Sequence, residues 1–397
     1  MNNDILAPDG QDHSKDVGRK DSLRTLGLNV MGRREALLKI GAAGLGGSAA
    51  LAGLAPKADA VTALGQGAVA LAPVSGDNAP ALRAAIDSLG NNGGTVYLRP
   101  GLYTLNSPIL LDTPARLKTR FVGAGPKSDS TRISVNHAGI GIDCGTGTTQ
   151  TVTSSPVFER ISFETSSTYV RKARGIRFKT VNHSHIWGCT FDGFLVGVEY
   201  DATNVSISFN ADASYHLMDG MCRTNNCTKA ILVTANEGGF NLIGGHIICN
   251  KRAGDIGVDV AGGWQTRIYG TKFEGGNGGN PLGTGIRIRG GEGIRVSDIQ
   301  SESSKIGVHV LAGKHHSISG YFSNYSTGCE AGVKVEAAAT NVHVFALSGA
   351  DDAVRPRVKN LSSSTRLVAT RIEYDRRKSG YPNGLPEQRG QDACSYR

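Results

Sequence analysis

Short apolar-polar-apolar runs recur along this chain. The clearest is Gly175-Ile176-Arg177-Phe178, repeated as Gly197-Val198-Glu199-Tyr200, Ala230-Ile231-Leu232-Val233, Gly257-Val258-Asp259-Val260, Gly285-Ile286-Arg287-Ile288, Gly307-Val308-His309-Val310 and Gly332-Val333-Lys334-Val335. Alternation with a period of two marks a strand with one buried face. Its return every ~20–30 residues marks a solenoid. No unit holds a long amphipathic helical pattern, so helical-pair repeats are excluded. The uneven step argues against a left-handed hexapeptide helix. The pattern therefore predicts an all-β fold: a single-stranded right-handed parallel β-helix with corner loops of unequal length.

A second column of strands gives the register. Ile268-Tyr269-Gly270-Thr271-Lys272-Phe273-Glu274 aligns with Ile186 to Asp192, Val296 to Glu302 and Leu242 to Ile248. Looser copies are Phe158 to Glu164, Leu217 to Arg223 and Ile318 to Asn324. Alternation buries Phe273 and turns Lys272 and Glu274 outward. The expected outward equivalents are Ser162/Glu164, Thr190/Asp192, Met221/Arg223, His246/Ile248, Gln300/Glu302 and Phe322/Asn324. Residues one coil apart in such a ladder stand about 4.8 Å apart at the backbone.

Ahead of the repeats, Asp77-Asn78-Ala79-Pro80 opens an amphipathic helix whose Leu82, Ala85, Ile86 and Leu89 share one face. It is expected to be a capping α-helix, because an end coil otherwise exposes its core. Next come Gly93-Gly94-Thr95-Val96-Tyr97-Leu98-Arg99-Pro100-Gly101-Leu102-Tyr103 and Phe121-Val122-Gly123-Ala124-Gly125. This opening resembles that of the pectate-lyase-like superfamily, which includes polysaccharide lyases, polygalacturonases and tailspike-type depolymerases. The resemblance implies a β-helix and a polysaccharide substrate. It does not fix the reaction. The catalytic set of the polygalacturonases is missing, and Gly245-His246-Ile247 and Arg287-Ile288-Arg289 are only fragments of it. The Asp-rich calcium cluster of pectate lyases is missing too. No family catalytic residue is carried over.

The ladder supplies its own candidates. Glu274 and Glu302 fall one coil apart, near the roughly 5–5.5 Å carboxyl separation of retaining glycosidases. They are the catalytic candidates for hydrolysis, with Asp298 as an outlying third carboxylate and Glu164/Asp192 as a similar pair. Arg223, His246 and Lys272 fall on consecutive coils. They offer a base and cations for β-elimination beside a uronate carboxylate. Trp187 and Tyr269 share another outward column, where an aromatic face can stack on a sugar ring. The corners at 204–215 and 275–284 are expected to wall the groove. A non-catalytic polysaccharide-binding or surface adhesion protein on the same fold is the alternative.

The rest of the chain sets the surroundings. Gly32-Arg33-Arg34-Glu35-Ala36-Leu37-Leu38-Lys39, an apolar run from Ile40 to Ala55 and a small-x-small site at Ala58-Asp59-Ala60 read as a signal peptide. The paired arginines resemble a twin-arginine signal, which implies the twin-arginine export machinery as a partner. The expected layout is a signal peptide with a polar extension at 1–60, cleaved after Ala60, then the β-helix domain at 61–374 and a polar tail at 375–397. The protein is then periplasmic or extracellular, with no stable membrane anchor, and the sequence leaves oligomeric state open. The net charge of +9 suits an acidic polymer, but no Lys/Arg block interleaves with aromatics, so nucleic acid is not expected. Cys222 and Cys227 lack metal-ligand spacing, while Cys144, Cys189 and Cys249 sit in apolar strands as small hydrophobes. The glycine-rich 275–280 stretch lacks the paired Asp of a calcium loop. The sequence requires no cofactor, and Ca2+ is left without a motif.

Overall fold

The computed structural model describes residues 61–125, 130–145, 155–179, 181, 183–202, 216–234, 239–248, 252–277, 280–281, 283–323, 329–349 and 358–372. The candidate signal peptide, the polar tail, the 204–215 corner and Cys249 lie outside them. Among the described residues, no helix is long and apolar enough to cross a membrane.

The chain winds as a parallel β-helix. Its strands fall into an 18-stranded sheet and a 10-stranded sheet, called here the first and second sheets. Each coil enters the first sheet along a leading arm, turns at a short corner, continues along a trailing arm, and crosses to the second sheet. Arg267–Tyr269, Lys272–Glu274 and Thr284–Ile288 are one such coil. Among the described residues, pairing between successive coils is parallel; Val61–Gly65 folds back antiparallel on Ala68–Leu71, and a two-residue antiparallel ribbon joins 276–277 to 280–281.

The second sheet follows the repeat read from sequence. Ile176, Val198, Ile231, Val258, Ile286, Val308 and Val333 pair in one unbroken register, and all are buried. The residue ahead of each is glycine, except Ala230 before Ile231, and these glycines are places of close approach. A Cβ on Gly257 would lie 2.4 Å from the Gly285 carbonyl oxygen, and one on Gly307 would lie 2.5 Å from that of Gly332. In-register stacking also places like rings over one another. Phe121 stacks on Phe158 at 5.1 Å, Phe163 on Phe191 at 5.0 Å, and Phe178 on Tyr200 at 5.1 Å. These spacings are close to the strand separation.

The corner between the two arms is usually one residue in the left-handed region: Arg160 (φ 53°), Gly188 (60°), Gly244 (69°), Gly270 (62°) and Asp298 (52°). This single residue shifts the phase of alternation, so Tyr269 faces out, Thr271 in, Lys272 out and Phe273 in. The helix α1, Ala79–Asp87, covers the first coils with Ala81, Leu82, Ala85 and Ile86 buried. It is shorter than the 77–89 pattern, and Asn78 turns its side chain back to Val74 rather than onto the helix.

Two of the expected ladder pairs are corrected by corner length. In Leu217–Asn225 the corner holds one extra residue, with Gly220 opposite Gly244 but Arg223 opposite His246. The outward pair on this coil is therefore Arg223/Asn225, not Met221/Arg223. In Ser317–Ser323 the corner residue is missing, and Tyr321 and Ser323 lie opposite Gln300 and Glu302. Tyr321 therefore takes the outward place expected for Phe322. Phe322, expected to face outward, is 1% exposed and belongs to the core.

Candidate functional site

The trailing arm brings Arg223, His246 and Lys272 into one column, as direct register partners on successive strands. Gln300 and Tyr321 continue it. The adjoining column holds Asn225, Ile248, Glu274, Glu302 and Ser323 in the same order. Glu274 and Glu302 are thus one strand apart, as expected. Their carboxylates, however, are each engaged by a base from the neighbouring column. His246 Nε2 lies 3.1 Å from Glu274 Oε2. Lys272 Nζ lies 2.9 Å from Glu302 Oε2, and Gln300 Nε2 donates to Glu302 Oε1 at 2.5 Å. Asp298 is itself the corner residue, separated from this group by the turn.

This arrangement holds an imidazole in place. A carboxylate on the next strand fixes the ring through one nitrogen. When Nε2 carries the hydrogen directed at Glu274, Nδ1 is left to accept a proton. Cations stand on both sides of the ring, about one strand spacing away. Arg223 is exposed and its side chain has no hydrogen bond or ion pair among the described residues, so its guanidinium is free to meet a ligand carboxylate.

The leading arm carries residues that sequence reasoning missed. Arg267, Arg295, Ser317, His343 and Arg366 form one in-register column. The three arginines and His343 are exposed, and their side chains have no partner among the described residues. Arg267 and Arg295 are direct neighbours, an arrangement that costs stability when no anion lies between them. Beside this row runs an outward column with Glu159, Trp187, Asp219, Ile243, Tyr269 and Ser297. Trp187 (37% exposed) and Tyr269 (50%) share it as expected, with Asp219 and Ile243 between them; Phe345 is an exposed aromatic further along the arm. Trp187 lies between two carboxylates, each held by a base: Glu159 by Arg120 at 2.5 Å, and Asp219 by His185 at 3.2 Å. Trp264 is also exposed, in a corner bridged to Glu292. The basic row was legible as Arg267, Arg295 and Arg366, each just before an apolar strand residue, once the coils are aligned.

The second sheet handles charge differently. Asp259, with 0% of its side chain exposed, receives Arg287 through two bonds of 2.9 and 2.8 Å, Arg289 at 3.0 Å and Lys229 at 2.9 Å. Burial pushes its carboxyl up, but hydrogen bonds from Arg287 and Lys229 outweigh this and hold it down at about 2. Arg177 binds Asp143 at 2.9 and 2.7 Å, and Arg174 pairs with Glu199. At one corner, the nearly buried Arg171 reaches Asp255 through bonds of 2.5 and 2.7 Å. Cation and carboxylate thus alternate along much of this face, whereas on the leading arm the Arg267, Arg295 and Arg366 side chains are left uncompensated among the described residues.

No group of three or more His, Cys, Asp or Glu side chains converges to hold a metal among the described residues. Cys144, Cys189, Cys222 and Cys227 are buried and form no disulfide among the described residues, and Cys329 is buried as well. Burial pushes the Cys222 and Cys227 thiols up to about 12, which removes them as nucleophiles at neutral pH. Of the expected groove walls, 276–277 and 280–281 form a small antiparallel ribbon.

Similar folds occur among solved structures. A protein of Geobacillus virus E2, ORF18, matches with 14% identity and a TM-score of 0.47, over 76% of this chain and 59% of its own length. This chain therefore spans less than two thirds of that protein. PfbA, a surface adhesin of Streptococcus pneumoniae, matches with 11% identity and a TM-score of 0.41, over 78% of this chain and 94% of its own. The A-module of the Azotobacter vinelandii mannuronan C-5 epimerase AlgE4 matches with 14% identity and a TM-score of 0.36, over 73% and 95%. These likenesses concern the winding of the chain and carry nothing about its chemistry. No family model matches the sequence, and no curated protein matches it.

Proposed function

We propose that this protein binds an acidic polysaccharide along its first sheet and cleaves it by β-elimination. The observation that carries the proposal is the column Arg223, His246, Lys272, with Glu274 holding the imidazole. Elimination beside a uronate needs a base at the carbon bearing the carboxylate and cations to draw off the carboxylate's charge. His246 Nδ1 takes the proton from C5. The electron pair forms the C4–C5 double bond, the C4–O bond breaks, and the departing oxygen takes a proton from water. Arg223 and Lys272 hold the carboxylate, whose charge grows as the proton leaves.

Elimination fits the site better than hydrolysis. Glu274 and Glu302 each meet a base instead of facing a shared sugar bond, so neither is left as a lone acid. The exposed row Arg267, Arg295, His343 and Arg366, with Trp187 and Tyr269 beside it, suits a polymer that repeats both charge and sugar faces. The resemblance of the N-terminal signature to pectate-lyase-like proteins agrees with a carbohydrate polymer, and the signal pattern at 32–60 agrees with export to meet one. Unchanged export after Arg33→Lys and Arg34→Lys would sink the twin-arginine route.

The test is a panel of neutral and acidic polysaccharides, scored for binding, new reducing ends and the ultraviolet absorbance of an unsaturated uronate. Elimination gives both signals on an acidic polymer. Binding with neither signal makes the protein an adhesin. Reducing ends without absorbance make it a hydrolase.

A further inference from the structure

The arrangement around His246 occurs a second time, on the other sheet. On the trailing arm of the first sheet, an arginine stands opposite the histidine on one side, and a Lys-x-Glu strand stands on the other. The glutamate of that strand reaches back to the ring. On the second sheet, Arg287 is opposite His309, and His309 is opposite Lys334. Glu336 follows Lys334 by two residues, as Glu274 follows Lys272. Glu336 Oε1 lies 2.8 Å from His309 Nε2. Both histidines therefore have Nε2 tied to a carboxylate and Nδ1 left over.

We infer that the outward face of the second sheet holds a second uronate-binding site, built on Arg287, His309, Lys334 and Glu336. The choice of ligand class rests on the function proposed above. The site itself rests on its own geometry.

Two features set it apart from the first. It is more enclosed: the side chain of His309 is 16% exposed against 32% for His246. Its arginine is also fixed. Where the Arg223 side chain has no partner among the described residues, Arg287 is clamped by the buried Asp259, which also gathers Arg289 and Lys229. Three cations on one carboxylate leave excess positive charge beside His309. Lys334 is shared between Glu336 at 3.0 Å and Glu330 at 3.3 Å, with Lys359 also on Glu330. A sugar carboxylate placed here meets preorganised charge in a partly dry setting, where it counts for more than on an open face. A uronate seated with C5 against His309 Nδ1 can undergo the same balanced elimination: proton to the imidazole, electron pair to the C4–C5 bond, C4–O bond broken, and a proton from water to the leaving oxygen.

The experiment is calorimetric titration of the full-length chain with uronate hexamers (galacturonate and mannuronate), alongside product formation from the polymers. Two hexamers should bind per chain. His309→Gln or Lys334→Met should remove one, weakening that site on the order of tenfold or more, with unchanged melting as the control for folding. Arg223→Ala should remove the other. Histidine ring resonances give a second reading, and the His309 signals should move on adding hexamer even in Arg223→Ala. One hexamer per chain, lost with Arg223→Ala and indifferent to His309→Gln and Lys334→Met, overturns the second site. One hexamer lost only with the second-sheet variants keeps this site and overturns the first. Absence of binding to either hexamer overturns both.

Discussion

Replacing Asp259 with asparagine removes one charge and almost no volume, which makes it a sharp probe of the second sheet. In the wild type, Arg287, Arg289 and Lys229 all end on this buried carboxylate. Its carboxyl is held at about 2 in the folded state, against an ordinary value of 3.8. The folded form thus binds the proton more weakly than the unfolded chain does, so stability is gained above pH 4 and lost as the pH falls through 2. Linkage converts the difference to roughly 2 kcal/mol at pH 7, and about half of that at pH 3. The usual cost of breaking a buried pair, about 3–5 kcal/mol, is an upper figure for the same interaction. Asp259→Asn should therefore lower stability by about 2–5 kcal/mol at pH 7, measured by urea unfolding, and the gap from wild type should narrow by pH 3. A gap below about 0.5 kcal/mol at pH 7 is what a solvated surface pair would give. That result, or a gap independent of pH, would refute the claim that this carboxylate organises the face.

Other expectations follow from the corners and from the first-sheet site. Gly270 sits at φ 62°, and an added Cβ would meet nothing nearer than the Gly244 backbone nitrogen at 3.9 Å, so Gly270→Ala should cost about 1–2 kcal/mol through backbone strain alone. Asp298→Gly, at the equivalent corner, should be neutral or stabilising in the same melting assay. Glu274→Gln should slow polymer cleavage by roughly 100-fold, because it loses the charge that steadies the protonated imidazole. Glu302→Gln should slow it far less. Equal losses of several orders of magnitude in the two variants would instead favour a carboxylate pair and hydrolysis.

The fold was legible because the second-sheet strands from Gly175 on share one four-residue pattern. Four residues, glycine or alanine first, repeat without insertion from Gly175 to Val335, and the observed register follows them. The first sheet was legible only in part. Its corners vary by one residue in either direction, and the flanking Leu217, Met218 and Ile318 are apolar whichever way they are aligned. An ungapped alignment therefore slid past Arg223 and Phe322. The second His–Glu pair went unread for another reason. His309 and Lys334 lie inside the fold-defining repeat, where the apolar positions draw the eye, and Glu336 lies one residue beyond it. Only the diagonal contact between neighbouring strands joins them. The leading-arm arginines were hidden in the same way, each unremarkable until the coils are stacked. Composition showed the excess of positive charge, but not that one face neutralises its cations and another leaves them bare.

The central claim is that His246, held by Glu274 between Arg223 and Lys272, starts an elimination on an acidic polymer. The most direct measurement is the rate of unsaturated-uronate formation by wild type and His246→Gln in a His309→Gln background, with polymer binding followed in parallel. The account predicts formation in the His309→Gln parent, a loss of about 100-fold or more on adding His246→Gln, and binding that survives. An undiminished rate in the double variant, or no unsaturated product from any bound acidic polymer, would contradict it.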